Sequence, residues 1–104
     1  MQIIPVLAIP NQTLSETLAN QACQIHIVQT DFGVFLDLYV NNALIIGGVV
    51  CLHLNRLVRD PYLGFVGDLA IYDTQGISDP YYSGLGLRWR LGYFAPAELP
   101  RWGP

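Results

Sequence analysis

Apolar and polar side chains alternate with a period of two along much of the chain, which is the pattern of a β-strand with one buried face. The apolar residues of four such stretches are Cys23, Ile25 and Ile27; Val34, Leu36, Leu38 and Val40; Leu69 and Ile71; and Leu85, Leu87, Trp89, Leu91 and Tyr93. β-branched and aromatic residues are frequent in these stretches, as strands prefer. No helical period appears, although residues 55–64 could hold one short turn.

Turn residues separate the stretches at a spacing of roughly ten residues. The turn signals are Asn20, Asp31-Phe32-Gly33, Asn41-Asn42 and Asp73-Thr74-Gln75-Gly76. Asparagine tolerates the positive φ that a tight hairpin requires, so Asn41-Asn42 predicts a hairpin. The pattern therefore predicts an all-β fold, a small antiparallel β-barrel or sandwich of about six to seven strands.

Proline is concentrated near both ends of the chain. Pro5 and Pro10 favour an extended N-terminal stretch, either an edge strand or a docking arm. The last nine residues contain three prolines and Trp102, which either docks on a neighbouring chain or folds back over its own domain. We therefore expect a single β domain over residues 1–104, with an extended N-terminal arm at 1–11, a β core at 12–94 and a proline-rich C-terminal tail at 95–104.

The composition favours a subunit that lies against partners. The chain has 104 residues, of which 52% are hydrophobic and 12% are charged. That charged share is about half the roughly 25% of an average soluble domain. A domain of this length buries only about 60–65% of the surface of its unfolded chain, so apolar side chains must remain outside. The high hydrophobicity also excludes a disordered chain.

The charge pattern argues against nucleic acid as the main ligand. The net charge is −3, lysine is absent, and the cations are Arg56, Arg59, Arg88, Arg90 and Arg101. A nucleic-acid binder normally carries a basic excess. Arginine without lysine is instead typical of protein interfaces.

Arg88 and Arg90 lie two positions apart on the polar side of the last predicted strand. Three interpretations are open for this pair. It is a solubilising outer face, a contact with a carboxylate of a neighbouring subunit, or part of a platform for a single-stranded nucleic acid. In the last case Tyr81, Tyr82 and Trp89 would stack on the bases.

A membrane span and a secretory signal are not predicted. The longest apolar run, residues 43–54, has 12 residues, whereas a spanning helix needs about 20. The first residues lack the cationic region of a signal peptide.

Cysteine and histidine do not form a convincing catalytic or metal-binding set. Cys23 and His26 are three apart in a strand, so their side chains point to opposite faces. Cys51 and His53 share a face, but no third group orients the imidazole. The histidines are far apart in sequence, so a metal site is not expected. We expect the two thiols to pack as small buried apolar groups, although they could pair.

The carboxylates fit structural roles better than acid–base catalysis. Asp60 and Asp79 precede proline, and Asp73 opens a turn, so their side chains are expected to bind nearby backbone amides. Asp37 and Asp68 lie in or beside strands, where a salt bridge with arginine is more common than a glycosidase-like pair. Gly84-Leu85-Gly86 lacks the third glycine and the following helix of a dinucleotide site. No enzyme activity, cofactor or small-molecule substrate is therefore predicted. A small hydrolase would need a buried carboxylate with a shifted pKa in a cleft.

Taken together, several short segments resemble a family of short tailed-phage and prophage proteins. Its described member is the plug protein of a cyanophage contractile-tail baseplate. The segments are Gln2-Ile3-Ile4-Pro5, Pro10-Asn11-Gln12-Thr13-Leu14, Phe35-Leu36-Asp37-Leu38-Tyr39, Leu63-Gly64-Phe65, Gly67-Asp68-Leu69, Asp73-Thr74-Gln75-Gly76, Asp79-Pro80, and Leu85-Gly86 with the strand to Tyr93. The resemblance covers roughly residues 2–94 and rests on their order and spacing. Residues 43–54, which are unusually apolar, and the tail depart from it.

The resemblance implies a structural virion protein of the tail baseplate, made in the host cytoplasm, with no catalytic residues. Its partners would be the hub, spike and tail tube, and copies of itself in a three- or six-fold arrangement. It would seal or lock the junction of these parts. The residues expected at such interfaces are Ile3, Ile4, Arg88, Arg90 and Trp102. The alternative is a stand-alone small β-barrel that binds a peptide, a sugar or a single-stranded nucleic acid, with an aromatic site from Tyr62, Tyr81, Tyr82 and Trp89.

Overall fold

Seven strands run through the part of the chain that the computed structural model describes, residues 1–59 and 63–101, with the backbone alone over 99–101. They are β1 (Gln2–Ile4), β2 (Asn11–Leu18), β3 (Gln21–Thr30), β4 (Gly33–Val40), β5 (Ala43–Val50), β6 (Asp68–Asp73) and β7 (Trp89–Phe94). Short 3-10 helices lie at Tyr82–Gly84 and Pro96–Arg101. None of the described helices is long and apolar enough to cross a membrane.

The strands form two antiparallel sheets that face each other. One has the order β2-β3-β4-β5 and the other β1-β7-β6. The sheets do not close on themselves, so the all-β prediction is confirmed and the architecture is the sandwich rather than the barrel. Two-residue turns join β2 to β3 and β4 to β5. Their residues, Ala19-Asn20 and Asn41-Asn42, all have positive φ, as the twist of such hairpins requires.

The core lies between the sheets and contains the apolar faces that the alternation predicted. Ile25 and Ile27 of β3 and Leu36 and Leu38 of β4 are at most 1% exposed. The opposite sheet contributes Leu69, Ile71 and Leu91, all fully buried. Full burial of one such side chain contributes about 1.5–3 kcal/mol. The period-two pattern thus predicts the core correctly in β3, β4 and β6.

The structure corrects one local prediction, favours one of the two alternatives for the start of the chain and adds detail to the tail. The last strand begins at Trp89 rather than at residue 85, because Gly86 has a φ of +79° and Leu87 turns outward with 69% of its surface exposed. The start of the chain is an edge strand, since Gln2 pairs with Tyr93 and Ile4 with Leu91. Pro96–Arg101 is a 3-10 helix, although the sequence there shows no periodic pattern.

A loop covers the outer edge of β6. Its backbone donates from Leu54 N to Ile71 O at 2.9 Å and from Leu57 N to Leu69 O at 3.0 Å. The Asp68 carboxylate anchors this loop and is only 1% exposed. It accepts hydrogen bonds from the backbone amides of Leu57, Val58, Arg59 and Leu69 and from Arg56 Nε. The predicted salt bridge between Asp68 and an arginine is therefore present, but most of the carboxylate's partners are backbone amides.

Candidate interaction surfaces

The two neighbouring isoleucines of β1 have opposite environments. Ile3 is 47% exposed on the outer face of the three-stranded sheet, whereas Ile4 is 1% exposed and lies in the core. Of these two isoleucines, only Ile3 is therefore accessible to a partner in this structure. Trp102, the third apolar residue expected at an interface, lies outside the described residues.

Two small residues lie next to Ile3 on the outer side of the three-stranded sheet. Ile3 pairs with Gly92, and Gly92 pairs with Ala70 on its other side. A Cβ atom on Gly92 would lie 2.8 Å from Met1 Sδ and 3.2 Å from the Phe94 ring. Met1 and Phe94 therefore lie across the glycine. The sequence gives no signal for this surface, because it depends on how β6 and β7 pair.

Met1, Ile3, Leu54, Ala70, Gly92 and Phe94 are hereafter called the apolar face. Beside it is an open hollow of about 250 Å³, lined by Met1, His53, Leu54, Tyr72, Asp73 and Phe94. Leu54 is 40% exposed and Met1 is 53% exposed. An uncharged surface of this kind, on a chain with few charges, is suited to a protein partner rather than to a polar small molecule.

Charged groups lie at the rim of the apolar face. The N-terminal ammonium of Met1 pairs with the Glu98 carboxylate, which also accepts a hydrogen bond from Ala95 N at 2.8 Å. This contact ties the start of the chain to the C-terminal 3-10 helix. Arg90 is half-buried and pairs with Tyr72 in the β6–β7 ladder. Within the described residues Arg90 makes no ion pair, so of the two predicted arginines it is the one that could meet a partner's carboxylate.

Arg88 is bound inside its own chain. Its Nε donates to Asp73 Oδ1 at 2.8 Å and its Nη2 to Asp73 Oδ2 at 2.7 Å. The guanidinium carbon lies 4.7 Å from the centroid of the Trp89 ring. One of the three interpretations placed the carboxylate partner of Arg88 in a neighbouring subunit, and in this structure Asp73 supplies it. The hydrogen bonds from Arg88, followed by those from two backbone amides, hold the pKa of Asp73 well below its usual range.

The described aromatic residues of the alternative hypothesis, Tyr81, Tyr82 and Trp89, do not form a stacking platform among themselves. Trp89 is 8% exposed, and its ring N–H donates to Ser78 O at 3.0 Å. Tyr81 and Tyr82 contact each other, with ring centroids 4.9 Å apart and planes tilted by 39°. Tyr62 lies outside the described residues. Because the indole is buried, the half-exposed ring among these described residues is that of Tyr81.

A polar row crosses the outer face of the four-stranded sheet, one residue per strand. His26 Nε2 lies 2.8 Å from Asn11 Oδ1, and His26 Nδ1 lies 3.2 Å from Asp37 Oδ2. Gly48 N donates to Asp37 Oδ1 at 2.6 Å. The Gly48 amide, more than His26, lowers the pKa of Asp37. Asp37 therefore pairs with histidine, and the expectation of an arginine partner was wrong. Besides His26 and Asp37, the row contains the side-chain amide of Asn11, which is not a nucleophilic hydroxyl or thiol.

The remaining candidate groups are structural. Cys23 and Cys51 are free thiols, each 1% exposed, as the packing hypothesis predicted. Burial raises the pKa of Cys51 to about 12 and also raises that of Cys23. Asp79 accepts a hydrogen bond from the distant His53 N at 2.9 Å, not from a nearby turn amide, and Asp60 lies outside the described residues. In the described ranges no three His, Cys, Asp or Glu side chains are close enough together to hold a metal ion.

Comparison with known proteins shows which family the chain belongs to. A search of curated proteins finds no significant match. The family model described as "Cyanophage baseplate Pam3 plug gp18" matches residues 1–96, which is nearly the whole chain. The chain therefore belongs to the cyanophage baseplate plug family.

Proposed function

We propose that the protein is a structural subunit of a phage tail baseplate, located in the virion at the junction of tail tube, hub and spike. Membership of the baseplate plug family supports the location. The observation that carries the structural role is the apolar face, where Ile3, Met1 and Leu54 are each at least 40% exposed. When a neighbouring protein removes such apolar side chains from water, the complex is stabilised.

The apolar face fits a protein partner with an apolar surface of its own. Ala70 is fully buried and Gly92 is buried beside Met1 and Phe94, so a partner would pack on the exposed side chains of Met1, Ile3 and Leu54. The rim carries the Met1–Glu98 ion pair on one side and Arg90 on the other. An apolar centre with a polar rim is the usual organisation of protein interfaces. A hub or tube protein seated here would lock this subunit in place through packing rather than chemistry.

The proposal is tested in the phage that encodes the chain. Ile3→Asp places a charge on the apolar face, and Leu87→Asp is the matched control, because Leu87 is 69% exposed and lies outside that face. Mass spectrometry of purified virions measures incorporation of each variant, and immunogold labelling locates the wild-type chain. We expect the wild type and Leu87→Asp at the tail tip, and at least about tenfold less Ile3→Asp.

Two results would contradict different parts of the proposal. Absence of the wild-type chain from purified virions would exclude the baseplate role. Normal incorporation of a folded Ile3→Asp variant would leave the baseplate role intact but exclude the apolar face as the contact. Circular dichroism of each purified variant shows that it is folded.

A further inference from the structure

The turn between β3 and β4 presents an aromatic ring and a carboxylate side by side. Thr30 pairs with Gly33 at the end of the ladder, so Asp31 and Phe32 form the turn. Phe32 is 88% exposed, more than any other large apolar side chain of the described residues, and Asp31 is also exposed. Covering such a ring with another surface removes a large apolar area from water. The turn is therefore a candidate contact site.

This turn is fixed before any partner binds. The Thr30 hydroxyl accepts a hydrogen bond from Phe32 N at 3.1 Å and donates one to Gly33 O at 3.1 Å. The Asp31 carboxylate, by contrast, binds no other group within the part of the chain that the structure describes. A segment that is already ordered loses little conformational entropy on binding. The ring and the free carboxylate can thus meet a partner as one rigid unit.

Arg90 is the uncompensated charge next to the hollow that borders the apolar face. The other ions of that region are paired inside the chain, as Arg56–Asp68, Arg88–Asp73 and Met1–Glu98. Arg90 is half-buried, and none of the carboxylates among the described residues forms an ion pair with it. A guanidinium in this position is stabilised by a carboxylate that binds two of its N–H groups. The surface therefore favours an acidic partner over a basic one.

We propose that the β3–β4 turn of one copy of the chain docks on a second copy, with Phe32 in its hollow and Asp31 on its Arg90. The hollow has a volume of about 250 Å³, and its apolar walls include Leu54 and Phe94. An apolar cavity of about 150 Å³ holds benzene, so the hollow has room for the Phe32 ring. The contact involves this chain alone and does not depend on the proposed function.

The spacing of the two groups agrees on both sides of the contact. Arg90 pairs with Tyr72 in the β6–β7 ladder, and Tyr72 lines the hollow. Neighbouring strands are about 4.8 Å apart, so the arginine begins about one strand spacing from the hollow wall. Asp31 and Phe32 are consecutive, with Cα atoms about 3.8 Å apart. A ring seated in the hollow therefore brings the carboxylate within reach of the long Arg90 side chain.

Ile77 shows why the turn is favoured over other exposed apolar residues. Its side chain is 85% exposed, close to the value for Phe32. The acid nearest to it in sequence, Asp79, already accepts a hydrogen bond from His53 N at 2.9 Å. Ile77 therefore has no free carboxylate beside it that could pair with Arg90, which makes it a matched control.

The contact is head-to-tail, because each copy uses its β3–β4 turn on one side and its hollow on the other. Such contacts generate rings when the rotation closes. Ile3 does not line the hollow. A second copy seated there therefore leaves Ile3 available to another baseplate protein, and the two contacts can coexist.

Sedimentation equilibrium of the purified full chain tests the contact. Phe32→Ser removes the ring, and Ile77→Ser is the control, since Ile77 is similarly exposed and does not line the hollow. A charge exchange tests the ion pair: Asp31→Arg and Arg90→Asp are measured singly and then together. Circular dichroism shows that each variant is folded.

We expect the average mass of the wild type and of Ile77→Ser to rise with concentration, and Phe32→Ser to raise the dissociation constant at least about tenfold. Each single charge change should weaken association by about as much, because it places like charges opposite each other. The double charge variant should associate within about threefold of the wild type. A mixture of Phe32→Ser and Arg90→Asp should stop at the dimer, because one copy retains the turn and the other retains the hollow with its arginine.

Three results would overturn the proposal. The first is a wild type that remains monomeric up to about 1 mM. The second is a Phe32→Ser variant that associates as strongly as the wild type or as Ile77→Ser. The third is a double charge variant no better than the weaker of its two single variants, which would exclude Asp31 as the partner of Arg90.

Discussion

Asp73 binds Arg88 at two points and the turn that follows β6 at two more. Besides the two bonds from the guanidinium, its carboxylate accepts from Gln75 N at 2.8 Å and Ser78 N at 2.9 Å. Arg88 in turn covers the ring of Trp89. One carboxylate thus fixes the turn, the start of β7 and the buried indole. Its ionised form is the one that all four donors stabilise.

We expect Asp73→Asn to lower the urea midpoint of unfolding, but only at pH values at which the Asp73 carboxylate is ionised in the native protein. Its folded-state pKa lies below the unfolded value of about 3.9, so its contribution is complete above about pH 5 and is lost as the pH falls through the folded pKa. The gap between wild type and variant should therefore shrink from pH 5 towards pH 2. Asp31→Asn, at an exposed turn residue, is the control. A gap independent of pH would contradict the assignment.

Asp68 is expected to matter more for stability than its place at the start of a strand suggests. Asp68→Asn puts a neutral amide before four backbone N–H donors and the Arg56 guanidinium in a site that is 1% exposed. The expected loss is about 3 kcal/mol in the free energy of unfolding. Chemical denaturation at pH 7 measures it. Asp79→Asn, which affects one backbone amide, should cost about 1 kcal/mol or less. Equal losses in the two variants would contradict the anchoring role of Asp68.

The sandwich could be predicted because apolar and polar side chains alternate within individual strands. The alternation of Ile25 with its neighbours in sequence predicts that its side chain faces the core, and the structure agrees. The roles of Asp68 and Arg88 could not be predicted in the same way. Most donors to Asp68 are backbone amides about ten residues upstream, and a backbone amide has no sequence signature. The sequence around Arg88 does not show whether the carboxylate that binds it lies in the same chain or in a partner.

Strand pairing decides which of the residues expected at an interface is exposed. Ile3 and Ile4 are the same residue type, and only the pairing of β1 with β7 decides which one is buried. Gly92 and Ala70 are unremarkable in sequence, yet they face each other across two strands and create the apolar face. Pairing of this kind links residues about twenty positions apart or more, so the alternation within one strand does not reveal it.

The two thiols should react only when the protein unfolds. Cys51 is 1% exposed and its pKa is raised to about 12, so almost no thiolate is present at pH 8. We expect alkylation by iodoacetamide to be at least about a thousandfold slower in the folded protein than in guanidinium chloride, because it requires opening of the core. Mass spectrometry after timed labelling measures both sites. A Thr17→Cys variant supplies an exposed thiol in the same fold. Rapid labelling of Cys51 in the folded chain would contradict its burial.

Ala19 offers a test of the β2–β3 turn with a matched control in the next strand. Its φ of +49° is energetically unfavourable for an L-residue that has a Cβ atom, but not for glycine. Ala19→Gly should therefore stabilise the protein by about 0.5–1 kcal/mol. Ala22→Gly changes an exposed alanine in regular strand β3 and should destabilise by about 0.5–1 kcal/mol, because glycine there only adds freedom to the unfolded chain. Urea midpoints of both variants decide the point: shifts of the same sign would mean that Ala19 does not hold the left-handed conformation in solution.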